Sequence, residues 1–263
     1  MGFGFITKLK LGGNSQNISS QFVKTSRNKL LGKSTPFAVQ EAYSAIRTRL
    51  SFTSKGEKCP IYVVTSSNPG EGKTLNTINL AISLSEMGKK VLIIDGDMRN
   101  PTCHKFLDTR RENGLSEVLA GIAESVNVRK TKYNNLFFMP AGSIPPNPAE
   151  LLASKKMDEL TQFLRDHFDY VLMDTPPIGL VTDAALLSEV ATGYIVIVKS
   201  NLSRTPEIHE SLDAIQSVGG RVCGFILNGV GGKGSEYYKS KGGSYGYAYH
   251  YGREAEFGVG EDK

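Results

Sequence analysis

The sequence predicts an α/β domain built on a mostly parallel β-sheet with helices on both faces. Three observations carry that expectation. Between Pro60 and Asn228, short β-rich apolar runs alternate with amphipathic stretches of helical length, as parallel strands joined by crossover helices require. The first run leads straight into a glycine-rich loop and then a helical pattern. Two later runs end in aspartate, at the strand ends where an open α/β sheet places its ligands.

Taken in chain order, residues 36–52 (PFAVQEAYSAIRTRLSF) read as a helix ahead of the first strand, IYVVT at 61–65. A helix follows Lys73 and stops at Gly88, read as its C′ glycine. Strands are expected at KVLIID (90–95) and NLFFMPA (135–141), after which Pro145, Pro146 and Pro148 punctuate a loop before a helix starting near Ala149. DYVLMD (169–174) and GYIVIV (193–198) are the next strands. Thr205 and Pro206, as N-cap and N1, open a helix that Gly219 closes, and VCGFILN (222–228) is the last strand. The reading divides the chain into a basic flexible arm (1–35), one domain (36–230) and a flexible tyrosine-rich tail (231–263).

A chain of 263 residues suits one large domain with a full core. Cys59, Cys103 and Cys223 are odd in number, far apart and lack CxxC spacing, so they support neither a disulfide framework nor a zinc site and fit a reducing compartment. No apolar run approaches membrane-spanning length. The net charge is +5, but no acid precedes Glu41 while Lys8, Lys10, Lys24, Arg27, Lys29 and Lys33 do. Such a start suits a transit peptide, a nucleic-acid arm, a segment held near anionic lipid, or a disordered arm without a dedicated role.

From Ser67 to Thr74 the loop SSNPGEGKT has the spacing GxxxxGK[ST], with Ser67 in place of the first glycine. Glycines let backbone N–H groups turn toward a phosphate, and a helix N-terminus adds positive potential. Lys73 then neutralises β/γ oxygens and Thr74 offers a hydroxyl to Mg²⁺. VLIIDGDMR sets Asp95 and Asp97 just past a strand and VLMDTPP ends another in Asp174. All three carboxylates are therefore expected at the Lys73 loop, as a magnesium–nucleotide site of a P-loop NTPase.

Together, SSNPGEGKT, LIIDGDMR and VLMDTPP resemble the Walker A, A′ and B motifs of the bacterial tyrosine kinases of capsule and exopolysaccharide assembly. The resemblance runs from Pro36 to Tyr251 and includes a terminal tyrosine cluster. It implies ATP and Mg²⁺ as cofactors, with Ser67, Asn68, Pro69, Gly70, Glu71, Gly72, Lys73 and Thr74 around the phosphates and Asn228 reading adenine or forming a turn. It implies Thr74, Asp97 and Asp174 as metal ligands. Asp95 and Asp97 divide metal binding and proton abstraction, and the reading takes Asp95 as base. Arg99 is read either as a phosphate contact or as an ion-pair partner. Tyr237, Tyr238, Tyr245, Tyr247, Tyr249 and Tyr251 become autophosphorylation acceptors, on a glycine-rich tether suited to reaching a neighbouring active site.

The family's E-x-x-R-x-x-R helix, which bridges subunits, is represented by EAYSAIR: Glu41 and Arg47 remain and Ser44 stands between them. A homo-oligomer is expected, together with a membrane polysaccharide co-polymerase as activator and a cognate tyrosine phosphatase. The implied place is cytoplasmic, peripheral to the inner face of the plasma membrane. The alternative on the same fold is a ParA/MinD-type partitioning ATPase. Members of that group carry a lysine where Asn68 stands here. A nucleic-acid-binding module, using tail tyrosines for stacking, leaves the three acids idle, so no nucleic-acid partner is expected.

Overall fold

The computed structural model describes residues 9–12 and 29–230. They form one sheet of eight strands: β1 (Leu9–Gly12), β2 (Ile61–Ser66), β3 (Val91–Asp95), β4 (Val126–Lys130), β5 (Leu136–Met139), β6 (Tyr170–Asp174), β7 (Gly193–Lys199) and β8 (Val222–Asn228). Their spatial order is β1-β4-β5-β3-β6-β2-β7-β8. Every pairing is parallel except β4 with β5, which are joined by residues 131–135. That link is too short for a crossover, so the chain turns back on itself.

Among the described residues seven α-helices accompany the sheet: α1 (Phe37–Thr53), α2 (Lys73–Ser85), α3 (Cys103–Phe106), α4 (Leu115–Leu119), α5 (Pro148–Leu152), α6 (Lys155–His167) and α7 (Thr205–Ser217). Alternation along the central strands feeds two cores. Tyr62, Val64, Val91 and Ile93 pack with Tyr43 and Leu50 of α1 and Ile78 and Ile82 of α2. Ile61, Val63, Leu92 and Ile94 pack on the other face with Leu160 and Leu164 of α6 and Ile215 of α7. Each such fully buried aliphatic side chain is worth about 1.5–3 kcal/mol relative to exposure. The continuous apolar runs of β2 and β3 are the sequence mark of this two-sided burial.

The structure adds to and corrects the sequence reading. Two strands, β1 and β4, were not expected; VNVRK is polar enough to pass for a loop, yet Val126 and Val128 alternate into the core. β5 is shorter than 135–141, because Asn135 takes a left-handed φ of 57° and Pro140 follows Met139. Arg204, with extended φ and ψ, is the N-cap of α7, so Thr205 is already helical. Gly88 lies beyond the C-cap Glu86 by two residues rather than one. Gly219 is the expected C′ residue, with φ 72°: its N–H donates to Gln216 O and that of Gly220 to Ile215 O, a Schellman closure.

Packing also starts before Pro36. Leu30 and Leu31 are buried, and the carboxamide of Asn79 in α2 clamps them: Oδ1 accepts Leu31 N–H at 2.8 Å and Nδ2 donates to Lys29 O at 3.1 Å. The six tail tyrosines, Tyr237 to Tyr251, lie outside the described residues. Replacing Asn79 with Ala strands both backbone groups, and an expected loss of about 1–3 kcal/mol is to be read from denaturant midpoints. Amide exchange at Leu31 should quicken in the same variant; unchanged protection there would show that the clamp does not hold the segment.

Candidate nucleotide and phosphoryl-transfer site

β2 delivers the chain at Ser66 into the loop 67–72, and α2 begins at Lys73. Gly70 and Gly72 have φ of 78° and 98°, and Gly72 is the left-handed N-cap of α2. A Cβ on Gly72 would lie 2.2 Å from Asn228 Nδ2, so glycine is required there for both conformation and space. The loop thereby brings its backbone and the first turn of α2, which has no acid, to the carboxyl ends of the strands.

Hydrogen bonds staple this loop to the β7–α7–β8 side of the domain. Glu71, fully buried, accepts Asn68 N–H on Oε2 at 3.0 Å and the Ser203 hydroxyl on Oε1. Asn68 Nδ2 donates to Glu207 Oε2 at 2.6 Å, and Ser211 Oγ donates to Ser67 Oγ at 2.9 Å. Lys199 Nζ reaches Gly70 O at 3.0 Å and Asn228 Nδ2 reaches Glu71 O at 2.8 Å. Asn228 thus sits against the phosphate loop. Pro69 and Gly70 are exposed; Lys73 and Thr74 are half-buried at the mouth.

The acids converge beside it. β3 and β6 pair so that Asp95 stands opposite Asp174. Thr74 Oγ1 donates to Asp174 Oδ2 at 2.6 Å, and Thr77 Oγ1 approaches Asp174 Oδ1 at 3.4 Å. Cys103 of α3 closes the group: its Sγ donates to Asp174 Oδ2 at 3.3 Å and its N–H to Asp95 Oδ2 at 3.1 Å. Asp95 Oδ1 is buried and carries no hydrogen bond. Burial, then the charges of Asp174 and Asp97, push the Asp95 carboxyl well above the usual aspartate range. Burial also raises Asp174, to about 6, against the pull of Thr74 and Lys73. Burial and both acids hold Cys103 as a neutral thiol.

Asp97 is half-exposed, and its Oδ1 accepts the N–H groups of Arg99 (3.2 Å) and Asn100 (2.8 Å), closing a turn just past β3. Arg99 is an ion-pair partner: its guanidinium forks onto Asp183, which is fully buried, with two bonds of 2.8 Å. Thr74, Asp174 and Asp97 offer the hard oxygen donors that Mg²⁺ takes, and the orphaned Asp95 oxygen in a cluster of acids fits a site built for a cation. Thr77, Thr102 and Cys103 escaped the sequence reading, since nothing in TLNT or PTCHKF marks a contact made only through the fold. Glu41 and Arg47 lie elsewhere, on α1. Glu41 is exposed, whereas Arg47 donates to Ser83 O at 2.9 Å and pairs with Glu86 at 3.9 Å at the end of α2.

Residues 60–218 match the family described as the AAA domain. The tyrosine-protein kinase CpsD of Streptococcus pneumoniae serotype 4 is 37% identical over 191 residues, covering 72% of this chain and 83% of that protein. The tyrosine-protein kinase YwqD of Bacillus subtilis is 36% identical over 220 residues, 82% of this chain and 88% of its own. Among solved structures, the chimerical protein CapA2B2 superimposes with a TM-score of 0.70 at 30% identity, over 82% of this chain and 92% of that one. A Pyrococcus horikoshii septum site-determining protein MinD, solved with Mg-ADP, scores 0.55 at 28% identity over 64% of this chain and 70% of its own.

The buried acid pair sets an expected outcome. Asp95→Asn removes a carboxylate that burial and Asp174 disfavour, so without nucleotide or metal the variant should melt higher than the parent at neutral pH, by about 0.5–2 kcal/mol. The sign with pH follows from a folded pKa raised above 3.8: the parent loses stability as pH rises past that value, and acidification toward it should erase the gain. An equal or lower melting temperature for Asp95→Asn at neutral pH would show that the carboxylate is not strained.

Proposed function

The chain belongs to the AAA-domain family and, within it, to the bacterial tyrosine-protein kinases; from that membership we propose that it transfers the γ-phosphoryl group of Mg-ATP to tyrosines of its own C-terminal cluster, in the service of capsular or exopolysaccharide assembly. The observation that carries the reading is the meeting of the Lys73–Thr74 helix start with Asp174 and Asp95 at the ends of neighbouring strands.

In this proposal the loop 67–72 and the start of α2 receive the phosphates through backbone N–H groups, and Lys73 stabilises charge on the β/γ oxygens. Thr74, Asp97 and Asp174 hold Mg²⁺, which when bound neutralises phosphate charge and orients the γ-phosphoryl group for in-line attack. The phenolic oxygen of the incoming tyrosine bonds to the γ-phosphorus, ADP departs, and the phenolic proton passes to Asp95. Burial makes Asp95 the more basic acid and leaves its Oδ1 unoccupied. Its lack of exposed surface requires the residues around it to part when a tyrosine enters. Asn228, beside Gly72, is placed to meet the base or to hold the loop that carries it.

The proposed acceptors are Tyr237, Tyr238, Tyr245, Tyr247, Tyr249 and Tyr251. Each phosphate adds about −1.5 to −2 charges and turns a basic tail anionic. Subunits related through α1 present the tail of one to the site of the next, a membrane co-polymerase acts as activator, and a tyrosine phosphatase reverses the mark. No helix among the described residues is long and apolar enough to cross a membrane, which suits recruitment through that activator. The partitioning-ATPase alternative is disfavoured by Asn68, whose amide is committed within the chain to Glu207.

Incubation of the full chain with γ-labelled ATP and Mg²⁺ tests the reading. Label is expected on tail tyrosines in the wild type and at least about a hundredfold less in Lys73→Met. Release of labelled phosphate with no labelled tyrosine would assign the chain to the partitioning ATPases instead.

A further inference from the structure

We propose that the chain holds a second, softer metal site that shares Asp174 with the oxygen donors assigned to magnesium: Asp95, Cys103 and Asp174 bind one zinc-like divalent ion, Zn²⁺ or Cd²⁺, in competition with Mg²⁺. One ligand atom from each of the three residues falls within 4.8 Å of the others, and all three residues are buried. Asp174 Oδ2 is the hinge between two donor sets. On one side it accepts the Thr74 hydroxyl, a hard oxygen, at 2.6 Å; on the other it accepts the Cys103 thiol, a soft sulfur, at 3.3 Å. Mg²⁺ takes oxygen and has little use for sulfur, whereas a thiolate with carboxylates and imidazoles is the donor set of zinc.

Two further observations point to a built cation site rather than to a chance grouping. Asp95 has no exposed surface and its Oδ1 faces no donor, a buried polar atom that the fold leaves without a partner. Asp95 Oδ2 and Cys103 are fixed to each other through the Cys103 N–H bond of 3.1 Å, so the sulfur and the carboxylate are positioned by one short segment. When the ion binds, the S–H bond breaks, its proton goes to solvent and sulfur donates its electron pair to the metal. Three protein ligands leave a fourth position for water or a phosphate oxygen. Because both ions need Asp174, the softer one excludes Mg²⁺ from its oxygen set. This inference rests on the donor geometry alone and stands whether or not the chain phosphorylates tyrosine.

Titration of the purified full chain with Cd²⁺, without nucleotide, reads the site through the thiolate-to-cadmium charge-transfer band in the ultraviolet. A band saturating at one ion per chain is expected. It should persist in Cys59→Ser and Cys223→Ser and vanish in Cys103→Ser. Asp95→Asn, which keeps the thiol, should weaken binding at least about tenfold. Raising Mg²⁺ should raise the Cd²⁺ concentration needed for half-saturation, and no such shift would overturn the sharing of Asp174. A band that survives Cys103→Ser, an affinity unchanged by Asp95→Asn, or no band in the wild type would each overturn the site.

Discussion

Everything at the ligand end of the sheet follows from the register of two strands. β3 and β6 lie side by side with Asp95 opposite Asp174, so two carboxylates are forced together below the surface. Neighbouring strands are about 4.8 Å apart, and like charges at that spacing oppose folding. What imposes the register is the apolar run before each acid. A slip of one residue would turn Val91 and Ile93 from the α1/α2 core to the α6/α7 core and displace every partner. The hydrophobic effect, applied along three or four buried apolar residues per strand, thus positions an electrostatic arrangement that is unfavourable by itself. Thr74, Thr77 and the Cys103 backbone return part of the lost hydration. The remainder is left at Asp95 Oδ1, which no donor meets.

The phosphate loop is held by a different principle. Its glycines supply conformational freedom, which alone would give a loose loop; the residues between them remove that freedom by reaching across to the other half of the domain. Glu71 points inward to Ser203 and to the Asn68 N–H, and Asn68 reaches Glu207 on α7. The side chains at variable positions of GxxxxGKT are therefore structural in this chain, and what the loop offers a phosphate is its backbone and Lys73. A buried carboxylate such as Glu71 is tolerated because both of its oxygens have donors. Asp95, with one oxygen unserved, is the contrasting case within a few residues of the same site.

Much of this was legible in the sequence. Continuous apolar runs marked the central strands, because two-sided burial leaves no polar face to blur the pattern. The loop SSNPGEGKT and the acids Asp95, Asp97 and Asp174 were recognisable because their chemistry depends on residue type at fixed spacing. The contributions of Thr102, Cys103 and Thr77 were not legible, since a hydroxyl or thiol acquires its role only when another strand end comes within bonding distance. β4 was hidden for a related reason: this short strand between β1 and β5 turns only Val126 and Val128 into the core, and its polar residues read as loop. The clamp of Asn79 on Leu31 likewise joins residues 48 apart and leaves no local signature.

Helix α1 shows how the same fold redistributes charges that sequence patterns treat as equivalent. Glu41 and Arg47 were expected to act together between subunits, but their surroundings differ. Arg47 lies against α2, where its guanidinium meets the Ser83 carbonyl and Glu86 in the helix's last turn, the end at which a cation is favoured. Detaching it to bridge another subunit would leave that carbonyl and carboxylate without their donor. Glu41 and Arg49 are exposed and carry no such obligation toward α2. Ser44, half-buried between them, adds no charge. Arg47 thus fastens α1 to the helix that begins at the phosphate loop.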